Sequence, residues 1–296
     1  MNTRCGYVAI IGRPNVGKST LLNTLLRQKV SITSKKPQTT RQNVLGIRTS
    51  DDCQMLFVDT PGLHLKEHRA INRYMNRSAR RALRDVDIVL FLIDRDRWNE
   101  EDDYVAGLFD GLVGPKVLVI NKIDLIRNKA SIISLLQIMQ DRFPDAKIVP
   151  VSAEKNRNMD ALLGVIRDQL PVSPFYYETS QVTDRSERFL VSEIIREKIM
   201  RQMGEEVPHA VTIQIDRFQE EKNLTLIEAT IFVERDGQKK ILIGSGGERL
   251  KRIGSDARVE IQKLLERRIV LKTWVKIKTG WSDDERAIKS LGYDEH

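Results

Sequence analysis

The sequence predicts a doubly wound α/β domain followed by a smaller α+β domain. In the first half of the chain, short apolar runs alternate with helical patterns, which is the order of a parallel sheet covered by helices. The apolar runs at 88–93 and 117–120 are nearly unbroken, as expected for strands buried on both faces. Beyond Pro171 and Pro174 this order stops, and 296 residues is a typical length for two domains.

The first domain is predicted to have six strands with helices between them. Ligands bind such folds at the carboxyl ends of the strands, so the loops that follow the strands are the candidate site. The strands are Tyr7–Ile11, Val44–Thr49, Met55–Val58, Asp87–Ile93, Lys116–Ile120 and Lys147–Val151. The helices are 18–27, 68–84, 100–110, 129–141 and 158–170.

The two prolines end the first domain and leave an extended connector. We therefore expect domains at 1–172 and 188–296 with a linker at 173–187. The second domain is predicted to follow the order α-β-β-α-α-β, with helices at 187–203, 238–243 and 248–266 and strands at 210–216, 224–233 and 269–278. The last strand alternates, with Ile269, Leu271, Val275 and Ile277 inward and Lys272, Trp274 and Lys276 outward.

Composition excludes several classes of protein. Hydrophobic residues make up 41% and charged residues 30%, a globular ratio that excludes wholesale disorder. Two cysteines, Cys5 and Cys53, cannot make a disulfide framework, and we expect ordinary thiols in a reducing cytoplasm. No apolar run approaches the roughly 18–20 residues of a membrane span, and the start lacks the apolar core of a signal peptide. We expect a protein that is neither exported nor membrane-spanning.

Positive charge is concentrated near the carboxyl end. The whole chain has a formal net charge of +8, and residues 239–280 alone carry 12 basic and 4 acidic residues. A basic domain suggests a polyanionic partner, either nucleic acid or anionic lipid, although a merely solvated basic face is the simpler alternative.

A phosphate-binding motif lies between the first strand and the first helix. Gly12 to Ser19 fits G-x-x-x-x-G-K-[ST]. Its glycines let the loop wrap closely around a diphosphate, with backbone N–H groups directed at the phosphate oxygens. Lys18 would neutralise the β and γ oxygens, and the Ser19 hydroxyl would bind Mg²⁺. The predicted nucleotide ligands here are Gly12, Asn15, Val16, Gly17, Lys18, Ser19 and Thr20.

Three further boxes follow in the order that a GTP-binding domain requires. After the strand at 55–58, Asp59 can hold Mg²⁺ through water, and the N–H of Gly62 can contact the γ-phosphate. After the strand at 116–120, an ionised Asp124 can accept two hydrogen bonds from guanine N1–H and its 2-amino group.

The remaining guanine contacts complete the prediction of nucleotide specificity. Asn121 and Lys122 begin the guanine box, and a backbone N–H at Ser152 or Ala153 can lie near guanine O6. Adenine has neither of the donors that Asp124 requires, so GTP is preferred over ATP. The sequence thus predicts a P-loop GTPase domain that binds GTP, GDP and Mg²⁺.

Residues 28–43 have the composition of a segment that the γ-phosphate and Mg²⁺ order. Thr40 is the favoured threonine ligand of Mg²⁺, with Thr39 as the alternative. The predicted metal ligands are then Ser19, Thr40 and Asp59, and the predicted catalytic residues are Lys18, Thr40 and Gly62.

The residue after Gly62 is Leu63, whose aliphatic side chain cannot orient an attacking water as a glutamine does. Intrinsic hydrolysis should therefore be slow, or backbone groups, a bound cation or a partner must position the water. Asn15 can help to hold a potassium ion beside the β and γ phosphates; alternatively it is a loop asparagine with an unusual backbone angle. His64 and His68 have a metal-ligand spacing but no evident third ligand, and we predict no metal site there.

A G-x-x-G loop at residues 244–247, inside the basic region, predicts RNA binding. Such a loop between two helices clamps single-stranded nucleic acid in KH modules, and the order α-β-β-α-α-β is that of a type II KH domain. An inert helix–turn–helix is the alternative. We expect unpaired RNA to bind between the helices and the strand at 224–233. The predicted RNA-binding residues are Ile243, Gly244, Ser245, Gly246, Gly247, Lys251, Arg252 and Arg258.

The motifs together resemble the bacterial Era family of GTPases over nearly the whole chain. They are Gly12–Thr20, Gln38–Arg41, Asp59–Gly62, Glu206–His209 and Ile243–Leu250. The resemblance implies binding to the 3′ end of 16S ribosomal RNA and a role in assembly of the small (30S) ribosomal subunit. It also implies a cytoplasmic protein that associates peripherally with the inner membrane, and we expect a monomer. Ser245 replaces a lysine often found in this loop of the family, which puts one phosphate contact in doubt.

Two other functions fit the same motifs. One is an RNA chaperone whose nucleotide pocket only stabilises the fold, and the other is a membrane-associated signalling GTPase whose basic patch faces lipid. Repeated GTP hydrolysis that RNA accelerates would indicate an RNA-coupled switch, whereas GTP binding without hydrolysis would favour the chaperone. Competition between lipid vesicles and single-stranded RNA for the protein would test the membrane-associated GTPase.

Overall fold

The computed structural model describes residues 3–63, 69–95, 97–128, 130–204 and 211–293. Its contacts divide the chain after Asp184, within the predicted connector, and the segments 32–39 and 69–71 cluster with the second unit. His64, His68 and the stretch 206–209 lie outside the described residues.

A six-stranded sheet forms the centre of the first unit, in the order β2-β3-β1-β4-β5-β6. All neighbouring strands are parallel except β2 and β3, which are antiparallel because a two-residue turn joins Ser50 to Cys53. The strands are β1 (Arg4–Ile11), β2 (Val44–Ser50), β3 (Cys53–Asp59), β4 (Ile88–Asp94), β5 (Lys116–Asn121) and β6 (Lys147–Pro150). The helices are α1 (Lys18–Leu26), α2 (Ala70–Arg81), α3 (Glu100–Asp110), α4 (Ala130–Arg142) and α5 (Met159–Gln169).

Apolar side chains of the central strands form the core of this unit. All seven residues of β4 are buried, which confirms that both faces of this strand are covered. Because β1, β3, β4 and β5 run parallel, their carboxyl ends meet at one edge, where Ile10 pairs with Asp59 and Asp94 pairs with Asn121. The polar boxes that follow these strands therefore lie together.

The second unit has a three-stranded sheet in the order β7-β8-β9, with β7 antiparallel to β8 and β8 parallel to β9. Its elements are α6 (Glu187–Gln202), β7 (Thr212–Glu221), β8 (Leu224–Val233), α7 (Asp236–Ile243), α8 (Glu248–Leu265), β9 (Arg268–Ile277) and α9 (Glu285–Ser290). The core includes Ile227 and Ile231 of β8 and Ile253 and Ile261 of α8. The first six of these elements follow the predicted order α-β-β-α-α-β.

One feature of the second unit differs from the sequence prediction. The short helix α9 was not expected, because its six residues lack a clear apolar period. The strand at 224–233 is the central strand of the sheet, and α7 contacts both this strand and the edge strand β9. Binding of RNA between the helices and the strand at 224–233 stays a prediction.

Among the helices of the described residues, none combines the length and the apolar character needed to span a membrane.

Candidate nucleotide and RNA sites

The phosphate loop joins the end of β1 to the start of α1. Gly17 has a φ of 105°, and a Cβ there would lie 2.4 Å from Nδ2 of Asn121, so the position requires glycine. The Lys18 ammonium donates to the carbonyl oxygens of Gly12 and Arg13 at 2.9 and 3.0 Å. Burial lowers the pKa of Lys18 to about 8. The ammonium group thus lies inside the loop against two uncharged carbonyl oxygens, and a phosphate oxygen of a bound nucleotide would give it a negatively charged partner.

The three predicted metal ligands lie together, with the hydroxyls of Ser19 and Thr40 beside the carboxylate of Asp59. Ser19 Oγ lies 2.7 Å from Oδ2 of Asp59 and 2.8 Å from Oγ1 of Thr40, and Thr40 Oγ1 lies 3.4 Å from the same Oδ2. Ser31, which sequence reasoning missed, donates to Oδ2 of Asp59 at 2.9 Å. Burial raises the pKa of Asp59, which the hydrogen bonds from these hydroxyls partly offset.

These residues fit Mg²⁺. Oδ1 of Asp59 is buried and has no hydrogen-bond partner. A buried carboxylate oxygen without a donor is costly, and it is a hard oxygen ligand of the type that Mg²⁺ or a Mg²⁺-bound water prefers. Ser19 and Thr40 would be the hydroxyl ligands beside it.

The structure also separates the two candidate threonines. Oγ1 of Thr39 is engaged with Ser34 and with the carbonyl oxygen of Lys36, at 2.7 and 2.6 Å. Arg196, on α6, donates to the carbonyl oxygen of Thr39 at 2.5 Å. Thr39 belongs to the second unit, whereas Thr40 lies beside Asp59, so Thr40 is the candidate ligand.

The guanine boxes lie together at the ends of β5 and β6. Asn121 donates to the carbonyl oxygen of Val16 at 2.9 Å and accepts from the N–H of Ala153 at 3.0 Å. Ser152 donates to a carboxylate oxygen of Asp124 at 2.5 Å, which fixes the carboxylate for a ligand. The contact of a backbone N–H at Ser152 or Ala153 with guanine O6 stays a prediction.

Lys122 connects the guanine box to the phosphate loop. Its ammonium lies 2.8 Å from the carbonyl oxygen of Asn15 and 2.8 Å from Oδ2 of Asp94. Burial raises the pKa of Asp94, but Lys122 and Arg95 outweigh this, and the net pKa is lowered. The sequence analysis did not predict a role for Asp94, because it ended this strand at Ile93. Asp94 is the last residue of β4, and a carboxylate at the carboxyl end of a strand could have suggested a place in the site.

Four further residues of these loops have distinct backbone or packing environments. Asn15 has a φ of 65°, consistent with the backbone alternative for this residue. A Cβ on Gly62 would approach within 3.0 Å of Pro14, so glycine allows the two loops to meet. Leu63 is fully buried in the core and cannot face an attacking water. Thr20 lies in the first turn of α1 and is partly buried.

The predicted RNA loop joins α7 to α8 in the second unit. Gly244, Gly246 and Gly247 have φ values of 74°, 56° and 80°, a left-handed region that favours glycine. A Cβ on Gly246 or Gly247 would meet no atom within 4 Å, so the main chain is open to an approaching backbone. Ser245 is exposed and Ile243 is partly buried.

The three basic residues predicted to support this loop lie on α8. Lys251, Arg252 and Arg258 are all exposed, while Ile253 and Ala257 of the same helix are buried in the core. The helix therefore presents positive charge to solvent directly after the glycine loop, as single-stranded RNA requires.

Comparison with known proteins identifies both halves of the chain. A family model described as a 50S ribosome-binding GTPase matches residues 7–122, and a KH-domain model matches residues 206–282. The GTPase Era of Pseudomonas putida is 53% identical over 293 residues, covering 99% of this chain and 98% of that protein. The GTPase Era of Pseudomonas entomophila is 52% identical over 294 residues, with 99% and 98% covered.

Two solved structures match the chain over its length. One is Era in complex with MgGDPNP and nucleotides 1506–1542 of 16S ribosomal RNA, with a TM-score of 0.95, 38% identity and coverage of 99% of this chain and 100% of that one. The other is a variant of Aquifex aeolicus Era bound to GDP and aluminium fluoride, with the same TM-score, identity and coverage.

Proposed function

The chain is a member of the Era family of GTPases, and on that premise we propose that it hydrolyses GTP with Mg²⁺ held by Ser19, Thr40 and Asp59. The observation that carries this proposal is the unpartnered, buried Oδ1 of Asp59 beside two hydroxyls. Bound Mg²⁺ would supply positive charge to the β and γ phosphate oxygens.

The residues of the chain would act by binding and orientation. Lys18 would leave the two loop carbonyl oxygens that it now contacts and pair with phosphate oxygens. The N–H of Gly62 would contact the γ-phosphate. Because Leu63 is buried, we place the positioning of water on backbone groups or on a cation rather than on this side chain.

Guanine selectivity would come from Asp124. Ser152 donates to one of its carboxylate oxygens, and the N1–H and exocyclic 2-amino group of guanine would share the remaining acceptor sites. An adenine base would leave the carboxylate without these donors, and this loss favours guanine.

The proposed RNA partner is the unpaired 3′ end of 16S ribosomal RNA, and the proposed role is in assembly and rRNA maturation of the 30S subunit. Support comes from the relative solved with nucleotides 1506–1542 of that RNA and from the open glycine loop followed by three exposed cations. We place the protein in the cytoplasm as a monomer, with peripheral association with the inner membrane.

Paired variants of the full chain test this function. Lys18→Ala should abolish nucleotide binding and leave RNA affinity unchanged; Gly246→Asp combined with Gly247→Asp should lower RNA affinity and leave nucleotide binding unchanged. Wild-type protein should turn over GTP many times, faster with the 3′-terminal rRNA sequence. Binding of GTP without turnover would favour the chaperone function, and vesicle binding that RNA cannot displace would favour membrane signalling.

The cation hypothesis concerns Asn15. We propose that its side-chain oxygen helps to hold potassium beside the phosphates, so that GTP hydrolysis is faster in potassium than in sodium buffer. Asn15→Asp keeps a side-chain oxygen at this position and is a residue that tolerates positive φ, so the variant should keep the faster hydrolysis in potassium buffer. Equal rates in the two buffers would exclude the hypothesis.

A further inference from the structure

The outward face of β9 presents an exposed tryptophan between two lysines. Trp274 is 45% exposed, and Lys272 and Lys276 lie two residues before and after it on the same face. At about 3.3 Å per residue, each lysine lies roughly 7 Å along the strand from the tryptophan. An indole of this size usually lies in a core or in an interface.

This face is opposite to the face of β9 that packs against α7 and α8. The alternate residues Ile269 and Val275 point inward and pack in the core that includes Ile253 and Ile261 of α8. The register places Trp274 opposite Thr230 of β8 on the outward face. The glycine loop lies on the helical side, so the two surfaces are distinct.

The polar groups around Trp274 are already satisfied within the sheet. The Thr230 hydroxyl is buried and donates to Asp216 at 2.6 Å. Glu228 lies 3.5 Å from Lys272. Both carboxylates therefore have a partner within the sheet, and Lys272 would exchange Glu228 for a phosphate oxygen on binding.

Charge favours a polyanion over a protein partner. From Arg268 to Lys278 the chain carries four basic residues and no acidic one: Arg268, Lys272, Lys276 and Lys278. The preceding Arg267 is paired with Glu187 and Glu220 and is not counted. The cores of protein–protein interfaces are depleted of lysine. Surfaces for single-stranded nucleic acid combine aromatic side chains, on which bases stack, with cations that follow the phosphates.

We propose that the outward face of β9 is a second binding surface for single-stranded RNA, with Trp274 as the stacking residue and Lys272 and Lys276 as phosphate contacts. It would hold nucleotides beyond those clamped by the glycine loop. This inference rests on the proposed function only in taking RNA as the ligand.

Binding to RNA probes of two lengths tests the proposal with the full chain. A KH groove clamps about four nucleotides, so an unpaired probe of about six should fill the glycine-loop site alone, whereas one of about 20 can reach both faces. Trp274→Ala should weaken binding of the long probe at least about fivefold and leave the short probe unchanged. Trp274→Tyr should restore most of the affinity, because it keeps an aromatic face.

Variants of the two lysines test the same surface without changing Trp274. Lys272→Glu combined with Lys276→Glu should weaken the long probe and reduce its salt dependence, while Lys263→Glu, at the far end of α8, is the matched control. Crosslinking of thiouridine-containing RNA should map to β9. Unchanged affinity for the long probe in the Trp274→Ala variant would overturn the proposal. Failure of the short probe to bind would instead count against the glycine-loop function.

Discussion

The ammonium of Lys122 lies 2.8 Å from Oδ2 of Asp94, so the end of β4 holds the residue that connects the guanine box to the phosphate loop. Lys122 and Asp94 are 28 positions apart in the sequence, so the fold brings them together. The pair indicates that base recognition and phosphate binding share one support.

Loss of this support should weaken nucleotide binding. Asp94→Ala leaves Lys122 without its anionic partner, and a charge-assisted hydrogen bond of this kind contributes about 1.5–3 kcal/mol. We expect GDP to dissociate about tenfold faster or more, measured with a fluorescent GDP analogue. Asp85→Ala, an exposed carboxylate before β4, is the control. Equal dissociation rates for the two variants would contradict this role of Asp94.

Nucleotide affinity should fall at alkaline pH because of Lys18. Burial lowers its pKa to about 8 in the empty site, whereas bound phosphate favours the charged form and raises the pKa. Above pH 8 binding must therefore take up a proton, and affinity should fall by up to about tenfold per pH unit. Calorimetry in buffers of different ionisation enthalpy measures this uptake. Lys18→Arg, which stays charged, should remove the dependence; constant wild-type affinity to pH 9.5 would contradict it.

Magnesium dependence should show an acid limb set by Asp59. Burial raises the pKa of this carboxyl, and its protonation removes the charge that Mg²⁺ requires. The Ser31 hydrogen bond lowers this pKa, so Ser31→Ala should move the acid limb to higher pH. Nucleotide release with and without Mg²⁺, measured across pH, checks the shift, and Asp59→Asn should abolish the Mg²⁺ effect at every pH. An acid limb that stays in place in Ser31→Ala would refute this assignment.

The sequence was sufficient for the fold order and for the convergence of the boxes. Each box follows a strand, and parallel strands bring their carboxyl ends to one edge of the sheet. The sequence alone therefore predicts that Ser19, Asp59 and Asn121 lie close together. Thr40 and Thr39 could not be separated in this way, because the choice depends on which hydroxyl reaches Asp59.

What the sequence missed depends on tertiary contacts. Ser31 and Asp94 have no motif of their own, and their roles arise from partners that fold next to them. The order of strands in the second sheet, β7-β8-β9, could not be predicted in this way, because periodicity does not encode which strands pair.

Base selectivity should change with a single amide. Asp124→Asn replaces one acceptor with a donor, which suits xanthine, because xanthine has a carbonyl group where guanine has its 2-amino group. We expect GTP binding to weaken by at least about 100-fold and xanthosine triphosphate to bind more tightly than GTP. Competition against a fluorescent nucleotide measures both, with Asp160→Asn as the control. A variant that still prefers guanine would show that Asp124 does not read the base.

The central claim is that a guanine nucleotide binds at Gly12–Ser19 and is read at Asp124. Calorimetric titration of the full chain with GDP and with ADP, both with Mg²⁺, tests it most directly. We predict that GDP binds at one site and that ADP binds at least about 100-fold more weakly. Equal affinity for the two nucleotides, or no binding of GDP, would contradict the account.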